Sequence, residues 1–177
     1  MSQPIRCFKS LFILLVLTSA TFAQGDSIYH KKIVQRGNTM TNLFLIKNYT
    51  EFVKYTYKPL IDLAGGENKI IELTKTGISK IEEEGFTIIG CFIQSQAPIF
   101  QYANELQSVV TQILEIKTPK GKLISKSSLI ATSPDNGENW YFLDTQGKEL
   151  SQIKKIFPNL SDSLVIPIKE KPMLIEE

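Results

Sequence analysis

The chain has 177 residues, 42% of them hydrophobic, with 20 Lys and Arg against 18 Asp and Glu and one His. Removing residues 1–23 takes away Arg6, Lys9 and no acidic residue, which leaves 18 basic against 18 acidic side chains and excludes the basic footprint of a nucleic-acid binder. Cys7 leaves with that segment and Cys91 stands alone, so no intramolecular disulfide is possible and a hydrophobic core must hold the fold by itself.

The segment 1–23 reads as a secretory signal. Arg6 and Lys9 flank the start of the apolar run "LFILLVL" at Leu11–Leu17, and the small residues of "TSATFA" precede Gln24. The run falls short of the roughly 20 apolar residues that a membrane span requires. Cleavage is expected after Ala23, with Ala20 as the second site, and the product is expected to be periplasmic or secreted, with no membrane association thereafter. Residues 24–38 are polar and mixed; they are expected to form a flexible leader carrying His30 at the surface.

A single domain is expected over 39–168. "TMTNLFLI" and "KNYTEFVKYTY" suit one or two short helices, and Pro59 opens another, "PLIDLA", which Gly65 and Gly66 close. The clearest helical period lies at 67–84, where Ile70, Ile71, Leu73, Thr74, Gly77, Ile78 and Ile81 form one stripe and Gly85 suits a left-handed cap. Gly77, on the stripe itself, is expected to let this helix approach a sheet closely.

After Gly85 the texture becomes extended. Strands are expected in 86–95, 105–117, 122–132 and 140–144, with "TPKGK" as the hairpin between the second and third. A short helix in 147–157, a loop or edge strand in 158–167 and a polar tail over 169–177 complete the chain. Helices followed by antiparallel strands make an α+β domain, with one long helix packed in a curved four- to five-stranded sheet.

The stretch "SPDNGENW" places Ser133, Asp135, Gly137 and Trp140 at the spacing Ser-x-Asp-x-Gly-x-x-Trp, the Asp-box of sialidase-type propellers. Its roles are structural: the carboxylate accepts main-chain N–H groups, the glycine takes positive φ and the aromatic ring packs beneath the hairpin. Asn139 stands where the box prefers Thr. The box occurs once, whereas a propeller repeats its blade, so a glycosidase is disfavoured.

Groups for catalysis are sparse. His30 alone excludes a multi-histidine zinc site, and Cys91 in "IIGCFI" reads as a buried inert thiol. No cofactor or metal site and no catalytic set emerges. Asp62 and Asp144 are the carboxylates that a small isomerase or hydrolase would use as base. The favoured expectation is a noncatalytic domain binding a small apolar ligand or a protein partner. Its pocket would be lined by Phe86, Ile88, Val109, Val110, Ile113, Tyr141 and Leu143.

The succession "YKPLIDLAGGENKIIELTKTGISKIEEEGF", then "NELQSVVTQILEIKTPKGKLISKSSLIATSPDNGENWYFLDTQGKEL", then "IFPNLSDSLVIP" resembles uncharacterised bacterial secreted proteins of the nuclear-transport-factor-like, or cystatin-like, superfamily. The resemblance covers about residues 40–168 and implies a cone-like fold, a long helix in the concave side of a bent sheet. The Asp, His or Tyr residues that serve the superfamily's enzymes have no counterpart here, so catalysis is not implied.

Overall fold

The computed structural model describes residues 20–176; the expected signal segment lies outside that range except for its last four residues. Its longest helix, α1, spans Ala20–Leu45. Residues 24–38 are therefore not a flexible leader but the greater part of this helix. Ile33, Gly37, Met40 and Thr41 are buried along one face at helical spacing, which anchors it. A Cβ on Gly37 would stand 2.7 Å from Ile93 Cγ1, so glycine is what allows α1 to approach the sheet. That role was expected of Gly77, around which there is only open space.

Three short helical segments follow: α2 (Tyr49–Phe52), whose N-cap Asn48 accepts the Glu51 N–H at 3.3 Å, a 3-10 turn at Val53–Tyr55, and α3 (Lys58–Ala64). Pro59 occupies the first turn of α3, and Gly65 ends it in the left-handed region at φ 94°. The helix α4 (Glu67–Glu83) forms where the period predicts it, and Gly85 follows at φ 83°. It buries no residue fully, and Leu73 is 54% exposed. Its principal contacts are with α2, α3 and the 3-10 turn. The long helix against the sheet is α1, which occupies the face that α4 was expected to cover.

Six strands make one open antiparallel sheet: β1 (Thr87–Gln94), β2 (Phe100–Tyr102), β3 (Glu105–Thr118), β4 (Gly121–Ser133), β5 (Tyr141–Asp144) and β6 (Met173–Ile175). The order is β1-β3-β4-β5, with β2 also on β3 and β6 also on β4. A bulge between Ile88 and Gly90 interrupts the β1–β3 register. The count exceeds the four or five expected because Phe100–Tyr102 adds a short strand and Met173–Ile175, in the expected polar tail, adds another.

Alternation along the strands divides the core in two. Val110, Leu129, Ala131 and Phe142 face α1 and join Ile33, Met40, Ile93 and Trp140. Their neighbours Val109, Ile130 and Leu143 face the other way and join Tyr57, Ile153, Phe157, Leu160 and Leu164. Ile153 belongs to α5 (Leu150–Lys154), which opens with a capping box of Glu149 and Gln152. The loop carrying Leu160 and Leu164 is held by fully buried Gln107, whose Nε2 donates to Asn159 O and whose Oε1 accepts Ser161 N–H, each at 2.8 Å.

Candidate functional site

The turn 133–140 is built as its spacing requires. Asn136 and Gly137 have φ of 56° and 85°, and Glu138 N–H donates to Asp135 O, closing a tight reversal between β4 and β5. Asp135 Oδ1 accepts Ser133 Oγ–H and Asn139 N–H, each at 2.8 Å, and Oδ2 accepts Asn139 Nδ2–H at 2.7 Å. Ser133 Oγ in turn accepts the Gly137 N–H. Burial pushes the Asp135 carboxyl up, but the Asn139 and Ser133 donors outweigh it and hold the pKa below the ordinary value. Trp140 is fully buried, and its Nε1–H donates to Gly137 O at 3.2 Å. Asn139, the departure from the usual Thr, therefore adds a side-chain bond to the box.

Helix α1 leans on this turn. Tyr29 meets Trp140 edge-on at 6.3 Å between ring centroids, and Lys32 Nζ pairs with Glu138 Oε1 at 2.7 Å. Two further bonds tie α1 to β1: Asn38 Oδ1 accepts Ile93 N–H at 3.0 Å, and His30 Nδ1 stands 2.8 Å from Ser95 Oγ. His30 is therefore half-buried on a helix rather than exposed in a leader. A Ser–His contact is the pairing that a hydroxyl nucleophile uses. Here it joins a helix to a strand end, and neither residue lines the cavity found below.

The seven apolar positions expected to line a pocket do not gather around one. Val109, Val110 and Leu143 are divided between the two cores, because both sheet faces are covered at that end. Ile88 borders a notch of about 20 Å³ beside Phe44, Ile78 and Ile81. Phe86, Ile113 and Tyr141 are half-buried and line neither space.

The larger cavity, about 400 Å³, lies elsewhere, and most of the residues around it are polar or charged. Its walls are Ser125–Ser128 of β4, Gln94, Thr111, Gln112 and Leu114 from the strands beside it, Asp144–Gly147 beyond β5, and Pro167–Glu170. Lys126 Nζ pairs with Glu170 Oε2 at 3.2 Å across it, and Ser127 Oγ bonds Gln112 Oε1. The chain creates this space by leaving β4 at Asp144 and rejoining it at Met173. Its volume falls within the range of small-molecule sites, and its hydroxyl, amide and charged groups suit a polar occupant.

The two carboxylates considered as bases separate cleanly. Asp62 is exposed on α3, pairs with Lys58 at 3.0 Å and borders no cavity. Asp144 lines the polar cavity, with its Oδ1 accepting Gln146 N–H at 2.7 Å. A third carboxyl escaped the sequence reading: burial raises the pKa of Glu105, and Gln107 Nε2, donating at 3.4 Å, opposes the shift only in part. Burial likewise pushes the nearby Tyr57 phenol up to about 12, with the Glu105 charge adding to it. Cys91 is buried and its thiol is pushed up to about 12 by burial, against a bond from Gln112 Nε2. Among the described residues, no His, Cys, Asp and Glu cluster is placed to hold a metal ion, and no helix is long and apolar enough to cross a membrane. No protein-family model matches the chain, and no curated protein sequence matches it.

Proposed function

We propose that this is an exported, noncatalytic domain that binds a small polar ligand in the cavity along β4. The observation that carries the reading is the convergence of Ser125–Ser128, Asp144–Gly147 and Pro167–Glu170 on one space of about 400 Å³. The apolar ligand first expected loses its support, because Val109, Val110 and Leu143 fill the cores and Phe86, Ile88, Ile113 and Tyr141 do not gather around one space. The nuclear-transport-factor-like, cone-shaped arrangement belongs to the same proposal. A helix across one face of a bulged antiparallel sheet supports it, although that helix is α1 and the cavity opens at the β4 side.

Export rests on the order of charge, apolar run and small residues in 1–23. A second reading, an isomerase or hydrolase with Asp144 as base, draws on the position of that carboxylate in the cavity wall. Binding is favoured, because Asp144 already serves as the acceptor for the turn at Gln146. A thermal-shift screen of the exported chain against peptides, glycans and lipids tests the reading. A polar compound should raise the melting point, by the equivalent of about 2.7 kcal/mol at a hundredfold excess over its Kd. A response to lipids alone, or to nothing, would count against it. N-terminal sequencing of the same material should begin at Gln24.

A further inference from the structure

We propose that the occupant of this cavity is a short peptide with a free amino terminus, added to the open edge of β4 between β5 and β6. The inference rests on the reading of the cavity as a ligand site and names the class of ligand.

Along its outer edge β4 pairs with β5 at Leu129–Thr132 and with β6 at Lys122–Ile124, so the stretch Ser125–Ser128 has no partner strand. The gap is four residues, about 13 Å at the rise of a strand. Only Thr145 reaches into it, donating N–H and Oγ1–H to Ser128 O. That bond fixes which groups point outward: N–H and C=O of alternate residues share a side, so Ser128 N–H and both main-chain groups of Lys126 face the gap. Among the described residues none of them has a main-chain partner. All four residues border the cavity, together with Gln94 of β1 and Thr111, Gln112 and Leu114 of β3.

Tyr57 N–H donates to Phe142 O beside β5, and Asn38 takes the Ile93 N–H of β1. The edge at 125–128 has no such cover, and an open strand edge is a ready template for another chain. Both neighbours run antiparallel to β4, so an inserted segment continuing their direction enters beside Asp144 and leaves beside Met173. Its ammonium group then lies toward the Asp144 carboxylate. Main-chain bonding of this kind is the strand-addition mode of peptide recognition and tolerates many side chains.

The test titrates the exported chain with tetra-alanine, N-acetyl-tetra-alanine and maltotriose, by calorimetry and by amide spectra. Tetra-alanine should saturate with a Kd of about 1 mM or tighter and shift the amides of Lys126 and Ser128. N-acetylation, or Asp144→Asn with the free peptide, should weaken binding about tenfold, as expected for one lost charge-assisted bond. Equal binding of free and acetylated peptide would overturn the placement of the ammonium group. Maltotriose saturating the same amides while tetra-alanine does nothing would overturn the peptide assignment and leave the ligand site standing. Silence from every probe would remove both.

Discussion

Gly137→Ala measures how firmly α1 is seated on the turn between β4 and β5. The alanine Cβ would stand 2.3 Å from Tyr29 Cε1 and 2.4 Å from Cδ1, far inside contact, and its backbone would have to hold φ near 85°. The left-handed backbone costs about 1–2 kcal/mol for a residue with a Cβ. Displacing a packed ring costs about 1–3 kcal/mol more. The total, about 2–5 kcal/mol, corresponds to a fall in Tm of about 5–15 °C for a chain of this size. Tyr29→Ala removes the obstacle, so in that background Gly137→Ala should cost only the backbone share. Urea unfolding of the four chains in this cycle should give a coupling of about 1–3 kcal/mol. Additivity within about 0.5 kcal/mol would refute the contact, and with it the seating of Tyr29 against the turn.

Three further outcomes follow from the same geometry. Asp135→Ala deletes three hydrogen bonds to a carboxylate and should cost about 2–3 kcal/mol at pH 7. Because the folded pKa of Asp135 lies below its unfolded value, that stability is complete above about pH 5 and fades as pH falls through the folded pKa; the gap between wild type and variant should close in acid, and a gap independent of pH would contradict it. Gln107→Leu strips partners from the Asn159 carbonyl and the buried Ser161 N–H and should cost about 1–3 kcal/mol in urea titration, whereas a neutral result would show the loop is held otherwise. Cys91 should resist a disulfide reagent at pH 8 in the folded chain and react on unfolding, with one thiol counted if residues 1–23 have been removed and two if Cys7 remains.

What could be read in advance was what the chain encodes locally. The α4 stripe announces itself because isoleucines recur at helical spacing, and the 133–140 turn because Asp135, Gly137 and Trp140 act within eight residues. The first part of helix α1 was missed because, among the described residues, Ile33 and Met40 are the only large apolar side chains buried on its sheet-facing side, with Gly37, Thr41, Asn38 and His30 between and around them, which leaves a weak hydrophobic period. The α4 stripe therefore looked like the core helix, although α1 occupies the sheet. Gln107 reads as an outward polar residue of an alternating strand, yet its amide serves a loop more than fifty positions away. The cavity was invisible for a related reason. It exists only because the chain departs after Asp144, passes Pro167–Glu170 and returns as a strand from a tail whose composition looks merely polar.

The most direct measurement maps the amide resonances of the exported chain as the best polar compound from the ligand screen is added. Saturable shifts should gather at Ser125–Ser128, Asp144–Gly147 and Pro167–Glu170 and be reduced in Asp144→Asn. Shifts centred on α4 or on the 133–140 turn, or the absence of any saturable change along β4, would contradict the assignment of this cavity as the binding site.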